Sequence, residues 1–129
     1  MPQFSKRSED RLNTCHPLLQ KLMRSVIGVV DITVLCGHRG EEEQNAAYRK
    51  GFSKLQFPKS KHNSMPSMAV DIAPYPIDWD DFERFETVAS VVKTHWNLIP
   101  PEERRGWELQ WGGDWKNFRD LPHWELRKR

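Results

Sequence analysis

The chain has 129 residues, of which 37% are hydrophobic and 29% are charged, so the composition predicts one folded domain over residues 1–129 and excludes a disordered chain. Lys and Arg number 20 against 18 Asp and Glu, and this formal net charge of +2 argues against a dedicated nucleic-acid binder. The longest apolar run, residues 26–30, is far shorter than the roughly 18 residues of a membrane-spanning helix, so no membrane insertion is expected. The polar, basic start of the chain has no apolar leader, which predicts folding in a cytoplasm.

The first predicted elements are helical and are followed by a strand. Apolar residues recur at helical spacing from Leu12 to Val30, but Pro17 interrupts the pattern, which favours two short helices or one kinked helix. Segment 32–36 is rich in β-branched residues and is followed by Gly37. This composition is typical of a buried strand that leads into a turn.

A third helix and a long loop are predicted next. Three glutamates at 41–43 place negative charge where a helix dipole favours it, and that helix is expected to end at Gly51. Residues 52–68 include two prolines, four serines and three lysines without a sustained period. They are therefore predicted to form a long loop, and loops of this length are usually functional or disordered.

The second half of the chain predicts more strands and one long helix. Segment 69–73 is predicted to be a strand, and Asp78 or Asp80 is expected to cap the helix that follows. The apolar face of this helix comprises Phe82, Phe85, Val88, Ala89, Val92 and Trp96. Segments 107–111 and 122–126 predict two further strands around a glycine turn. The expected fold class is α+β, a small antiparallel sheet with helices packed on one face.

Two histidines and one aspartate are candidate metal ligands. Asp71 lies in the middle of an apolar strand, where a carboxylate is costly to bury unless it is paired or binds a metal. Together with His62 and His123 it would supply the donor set of a catalytic zinc site whose fourth position is open to water. From residue types alone, a surface-facing Asp71 and an ordinary loop His62 remain the alternatives.

A second carboxylate precedes one of these candidates. Asp120 lies three positions before His123, near enough to reach a water molecule at the open position and act as its general base. Aspartate is also common at the start of a turn before a proline, here Pro122. The residues alone do not decide between these two roles.

Several segments in chain order resemble one family of peptidoglycan hydrolases. The segments are Ser60-Lys61-His62, Ala69-Val70-Asp71 and Asp120-Leu121-Pro122-His123, together with Gly37-His38-Arg39. They resemble the superfamily of zinc D-Ala-D-Ala carboxypeptidases and L-alanyl-D-glutamate endopeptidases, whose phage endolysins are single domains of similar length. Residues 4–26, 69–75 and 111–115 resemble further parts of those endolysins, so the likeness extends over most of the chain.

The resemblance implies a fold like that of the hedgehog and D,D-peptidase proteins and a role for each matching residue. His62, Asp71 and His123 would bind zinc, and Asp120 would be the catalytic base. Arg39 would stabilise the developing oxyanion, an effect of about 3 kcal/mol for one donor in comparable sites. Ser60 is a candidate substrate-binding residue that would also orient the loop of His62 by hydrogen bonding, with an ordinary loop serine as the alternative.

The resemblance also implies an activity and a setting. The expected enzyme is a monomeric phage-type endolysin that cleaves the L-alanyl–D-glutamate bond in the stem peptide of peptidoglycan. It would accumulate in the cytoplasm of the bacterial host and reach the cell wall after another protein permeabilises the membrane. The alternatives are a D-Ala-D-Ala carboxypeptidase of the same superfamily and a non-catalytic module that binds the cell wall through its aromatic residues.

One departure from the family pattern concerns the first two ligands. The family separates them by seven positions with an intervening glycine, whereas His62 and Asp71 are nine positions apart without one. We expect the two extra residues to bulge outward in a turn at Pro66 and to leave both ligands in place. This departure affects local substrate contacts more than the metal.

Tryptophans, cysteines and the basic terminus have simpler expected roles. Trp111, Trp124 and Trp115 are predicted to wall a substrate cleft, with core packing as the alternative. The remaining tryptophans, Trp79, Trp96 and Trp107, are predicted to lie in the core. Cys15 and Cys36 lack metal or disulfide spacing and are expected to be reduced, buried thiols. The basic run at 127–129 is expected to be a solvated tail.

Overall fold

The structure is a computed structural model, and it describes residues 2–129. Its helices are α1 (Lys6–Leu12), α2 (Pro17–Ile27), α3 (Glu41–Arg49) and α4 (Phe82–Leu98). Its strands are β1 (Ile32–Cys36), β2 (Ala69–Pro74), β3 (Trp107–Trp111) and β4 (His123–Lys128). Two short 3-10 helices span Lys61–Asn63 and Gly112–Asp114. The predicted α+β fold is confirmed.

Local sequence explains where the helices begin. Pro17 occupies the first turn of α2, where its missing N–H costs nothing, and of the two predicted alternatives the structure has two short helices rather than one kinked helix. The carboxylate of Asp81 accepts a hydrogen bond from the Arg84 backbone and caps α4, so the expected caps Asp78 and Asp80 are wrong by a few residues. Phe82 begins α4 but is 60% exposed, so the buried face starts one turn later.

The four strands form one antiparallel sheet in the order β1-β2-β4-β3. Strands β2 and β4 are therefore central, and the register between them places Asp71 directly opposite His123. On the other side of β2, Cys36 pairs with Asp71 after an irregularity that follows Val34. The sheet thus brings three chemically reactive residues from distant parts of the chain to one place.

The hydrophobic core lies between the sheet and helices α2 and α4. Trp111 and Trp124 are buried in it with their rings stacked 5.7 Å apart. Trp96 is also buried and Trp107 packs against the core, as predicted, but Trp79 is 54% exposed and that prediction is wrong. Among the helices in residues 2–129, none combines the length and the apolar character needed to cross a membrane.

Candidate metal centre

The central strands of the sheet provide two of the three predicted ligands. Because Asp71 and His123 are direct partners across β2 and β4, their side chains lie side by side on the same face of the sheet. The Nδ1 atom of His123 lies 3.1 Å from Oδ1 of Asp71. Both side chains are largely buried, with 8% and 16% of their surfaces exposed. This half of the centre is therefore fixed by strand register.

A loop provides the third predicted ligand. His62 lies in the 3-10 helix Lys61–Asn63, and Ser60 caps that helix by accepting a hydrogen bond from the His62 backbone N–H. The backbone carbonyl of His62 accepts a hydrogen bond from the N–H of Arg39 at 2.8 Å. These contacts hold Nε2 of His62 at 3.2 Å from Oδ1 of Asp71. The orienting role of Ser60 thus has a direct structural basis.

The longer spacing between His62 and Asp71 is absorbed at the surface. Residues 64–66 are exposed, whereas His62 and Ser67 on either side of them are buried. The hydroxyl of Ser64 donates to the carbonyl of Pro66 and closes the turn. Across this turn, Nε2 of His62 and Oδ1 of Asp71 lie 3.2 Å apart, so the two extra residues do not separate the imidazole from the carboxylate.

The second nitrogen of each imidazole has its own partner. Nδ1 of His62 donates to the carbonyl of Gly37 at 2.7 Å, and Nε2 of His123 donates to the carboxylate of Glu125 at 2.8 Å. These hydrogen bonds fix the tautomer of each neutral ring, with its lone pair on the nitrogen that faces Asp71. When the two rings are neutral, both lone pairs therefore face the Asp71 carboxylate, and two imidazoles with one carboxylate are a donor set that suits zinc.

The charges of the cluster are strongly coupled. Burial alone would lower the pKa of His62, but the Asp71 carboxylate raises it to about 10. Burial would also lower the pKa of His123, but its hydrogen bonds to Asp71 and Glu125 raise this pKa to about 9. Burial alone would raise the pKa of Asp71, yet both imidazoles hold it well below its usual range. Without a metal, protons on the two rings therefore balance the buried carboxylate.

Cys36 is a fourth group at this centre, and sequence reasoning missed it. Within residues 2–129, potential ligand atoms of Cys36, His62 and Asp71 all lie within 4.8 Å of one another, as in a metal-binding cluster. Its thiol donates to the carbonyl of Gly37 at 3.5 Å, the same oxygen that anchors His62. Both cysteines are free, as predicted, but only Cys15 is fully buried. The register that pairs Cys36 with Asp71 was the missing signal.

Glu125 and Arg127 were also missed. Alternation along β4 places them on the same face as His123, and the carboxylate of Glu125 is only 7% exposed. One of its oxygens accepts from His123 and the other from Nε of Arg127 at 2.9 Å. Burial would raise the pKa of Glu125, but these two partners lower it. The expected solvated tail is wrong at Arg127, because this residue belongs to β4 and pairs with a buried carboxylate.

Arg39 borders the centre and is held by a buried amide. One guanidinium nitrogen donates to Oε1 of Gln44 at 2.9 Å, and another lies 3.6 Å from Oδ2 of Asp71. Gln44 is fully buried on α3, and its amide nitrogen donates to Ser53 and to the carbonyl of Leu55. The Gln44 amide therefore hydrogen-bonds to both Arg39 and the start of the long loop, and it positions them relative to each other.

Asp120 lies beside the centre without a side-chain hydrogen bond among the residues that the structure describes. Burial raises the pKa of its carboxyl group, and the nearby charge of Asp71 raises it further. Its backbone carbonyl accepts from the N–H of His123 at 3.1 Å, so the turn that the sequence indicated also exists. A side-chain β-carbon at Gly112 would lie 2.4 Å from that carbonyl oxygen, so only glycine fits there.

The centre opens into a cleft of about 570 Å³. Arg39, Ser60, His62, Asp71, Asp120 and His123 all line it. Of the predicted tryptophan walls only Trp115 lines the cleft. Trp111 and Trp124 point into the core, so their assignment as substrate-contacting residues is wrong and the alternative of core packing is correct. Phe52 and Leu55 of the long loop also line the cleft, as does Phe118.

Comparison with known proteins agrees with this geometry. A profile described as phage L-alanyl-D-glutamate peptidase matches residues 1–128. The chain belongs to this family. The L-alanyl-D-glutamate peptidase of Escherichia phage T5 is 33% identical over 132 residues, which cover 98% of this chain and 90% of the phage T5 protein.

Relatives of this family also occur in bacteria. Peptidoglycan L-alanyl-D-glutamate endopeptidase CwlK of Bacillus subtilis (strain 168) is 29% identical over 109 residues, covering 75% of this chain and 61% of CwlK. The crystal structure of the Serratia marcescens L-Ala D-Glu endopeptidase ChiX matches with a TM-score of 0.75 and 27% identity. That match covers 97% of this chain and 90% of ChiX, so the fold of the family extends over nearly the whole chain.

Proposed function

We propose that this protein is a zinc-dependent endolysin that hydrolyses the L-alanyl–D-glutamate bond in the peptide stem of peptidoglycan. The convergence of His62, Asp71 and His123 in an open cleft is the main structural support. Family membership over residues 1–128 supports the choice of bond, since the relatives are named for it. We further propose that it acts as a monomer, accumulating in the host cytoplasm until the membrane is permeabilised.

The proposed metal ligands are Nε2 of His62, the carboxylate of Asp71 and Nδ1 of His123. Both ring nitrogens lie within 3.2 Å of Oδ1 of Asp71, and the remaining nitrogen of each ring already forms another hydrogen bond. When bound, zinc would lower the pKa of a water molecule to about 7 and polarise the scissile carbonyl. Gly37 and Glu125 hold the two rings in the orientation that this binding requires.

Asp120 is proposed to move the proton. Burial and the charge of Asp71 raise its pKa, which improves it as a base compared with an exposed aspartate. Its carboxylate would accept the proton of the attacking water and pass it to the nitrogen of the leaving amine. Arg39 would face the carbonyl oxygen on which negative charge develops, with its orientation set by Gln44.

Other activities have less support. A D-Ala-D-Ala carboxypeptidase would use the same ligands, but the relatives reported above are named for the L-alanyl–D-glutamate bond. A non-catalytic wall-binding module would need an aromatic platform, whereas Trp111 and Trp124 are buried in the core. Binding to the cell wall alone also does not require two imidazoles in contact with a buried carboxylate.

The direct test is mass analysis of purified peptidoglycan after digestion with the zinc-loaded protein. New stem peptides that begin with D-glutamate are expected, together with muropeptides that end in L-alanine. Release of free D-alanine alone would instead identify a carboxypeptidase. No soluble product, with wall binding retained, would identify a binding module.

Asp120→Asn is the matched variant for this assay. It should keep its zinc, because Asp120 is not one of the proposed ligands, and lose activity by about 100- to 10,000-fold, the usual contribution of a general base. Zinc content by elemental analysis and the rate of peptide release are measured on the same preparation. Turnover equal to that of the parent protein would show that another group moves the proton.

A further inference from the structure

The cleft contains one arginine that the proposed mechanism does not use. Arg39, Lys59, Lys61 and Arg127 are its basic residues, and Asp71, Asp120 and Glu125 are its acidic ones. Arg39 is engaged by Gln44 and Asp71, whereas Lys59 and Lys61 are exposed and form no ion pair within residues 2–129. Among these four basic residues, Arg127 is the one whose side chain is 43% exposed and also forms an ion pair with a buried carboxylate, that of Glu125.

The orientation of Arg127 leaves its outer nitrogens available. Its Nε donates to Glu125 at 2.9 Å, and 43% of the side chain is exposed. Within residues 2–129, its two terminal nitrogens form no hydrogen bond. A guanidinium held at Nε presents these nitrogens as a fork, which matches the two oxygens of a carboxylate. The side chain is therefore pre-oriented to receive an anion.

Arg127 also lies close to the metal centre. One carboxyl group, that of Glu125, separates its guanidinium from the ring of His123. A ligand bound by Arg127 would thus be near the scissile bond of a substrate in the cleft. This placement limits the candidate anion to a group next to that bond.

The proposed substrate has such a group. D-glutamate contains two carboxyl groups, and when the peptide continues through one of them the other remains free and ionised at neutral pH. It is attached only a few bonds from the nitrogen that leaves when the bond is cleaved. The cleft is lined by both acidic and basic residues, so a substrate carboxylate needs a cation beside it rather than Asp71, Asp120 or Glu125.

We propose that Arg127 binds the free carboxylate of the D-glutamate residue and thereby selects stem peptides in which this group is charged. The inference rests on the proposed function, because it names a substrate contact of the same site. Glu125 then has two tasks, since it orients His123 with one oxygen and Arg127 with the other.

Two synthetic stem peptides test this proposal. They are identical except that the free carboxyl of D-glutamate is a carboxamide in one of them, which removes the charge and keeps the shape. The parent protein is expected to cleave the carboxylate peptide with a kcat/KM about 10- to 100-fold higher, as for loss of a hydrogen bond between charged groups. In Arg127→Gln this preference should disappear, mainly through slower cleavage of the carboxylate peptide.

Lys128→Gln is the matched control, because it removes the same charge from the adjacent, exposed position of β4. It should retain the full preference. Equal losses on both peptides in Arg127→Gln would overturn the proposal and show that Arg127 acts only through Glu125. An unchanged preference would also overturn it.

A binding measurement separates this proposal from the proposed function. The product peptide that begins with D-glutamate is titrated into metal-free protein by calorimetry, and its carboxamide analogue is titrated in parallel. Tighter binding of the carboxylate form that is lost in Arg127→Gln supports the anion site even if cleavage occurs at another bond. Equal binding of both forms contradicts the site, whichever bond is cleaved.

Discussion

The metal centre has two halves that are built in different ways. The strand half, comprising Asp71, His123 and Glu125, lies on the central strands, where pairing between β2 and β4 fixes each side chain. The loop half, residues 52–66, contributes His62 as its one proposed ligand and is otherwise mostly exposed, with Phe52 75% and Met65 65% accessible. We infer that register fixes two of the three proposed ligands, whereas the loop can change in length as long as His62 stays anchored.

The largest effect is expected in the strand half. His123→Ala should lose both zinc and activity, because only two proposed ligands remain and the carboxylate of Glu125 loses its imidazole partner. Zinc is measured by elemental analysis after dialysis against a limiting concentration of the metal. Met65→Ala is the matched change in the loop half, and it should keep its full complement of zinc. Equal metal loss in both variants would remove the distinction between the two halves.

The dependence of metal affinity on pH tests both halves together. The pKa of His62 is raised to about 10 and that of His123 to about 9 in the metal-free protein, so zinc must displace protons from both rings at neutral pH. Affinity should therefore fall as pH falls below about 9, by about 100-fold per pH unit when two protons compete. Calorimetry in buffers of different ionisation enthalpy counts the protons released.

About two protons are expected for the parent protein at pH 7. If zinc binding released no protons, the metal-free protein could not contain two protonated imidazoles that balance the charge of Asp71. Release of a single proton would show that one of the two rings is already neutral in the metal-free protein.

Glu125→Ala should have the next largest effect on the metal. The carboxylate fixes the tautomer of His123, and loss of such a partner typically reduces metal affinity 10- to 100-fold, or by about 1.4 to 2.7 kcal/mol. Ser60→Ala is the counterpart in the loop half, where the hydroxyl acts on the backbone of His62 and a smaller loss is expected. Competition with a zinc-binding dye measures the zinc affinity of each variant. A greater loss of zinc affinity in Ser60→Ala than in Glu125→Ala would show that the loop half contributes more to metal binding than the strand half.

Cys36→Ser should have the smallest effect. The thiol lies near His62 and Asp71, but it donates to the carbonyl of Gly37, and the imidazole of His123 completes the proposed donor set. The variant should bind zinc with nearly the affinity of the parent. Cobalt-loaded parent protein should likewise show no thiolate-to-cobalt charge-transfer band. Such a band, absent in Cys36→Ser, would make Cys36 a ligand.

The sequence predicted the elements well, because they depend on local signals, whereas the choice of His62, Asp71 and His123 as metal ligands came from the family resemblance and stays a prediction. Apolar periodicity indicated the helices and strands, and the buried position of Asp71 in an apolar strand indicated a paired or metal-bound carboxylate. The cap of α4 was misplaced because several aspartates precede that helix and each is a good capping residue. Such errors affect a helix end and leave the site unchanged.

The contacts across strands were less predictable. Cys36 approaches Asp71 only because of the register and irregularity of β1, which no local pattern specifies. Trp111 and Trp124 lie near the site in sequence, yet strand alternation turns both toward the core. The same alternation from His123 to Arg127 was visible in the sequence, so Glu125 was within reach of sequence reasoning.

His62, Asp71 and His123 are proposed to bind one zinc ion together. Anomalous diffraction at the zinc absorption edge, from crystals of the zinc-loaded protein, tests this proposal most directly. A single strong peak is expected about 2.0 to 2.2 Å from Nε2 of His62, an oxygen of Asp71 and Nδ1 of His123. A peak bonded to Cys36 in place of His123, or no peak in fully loaded crystals, would contradict it.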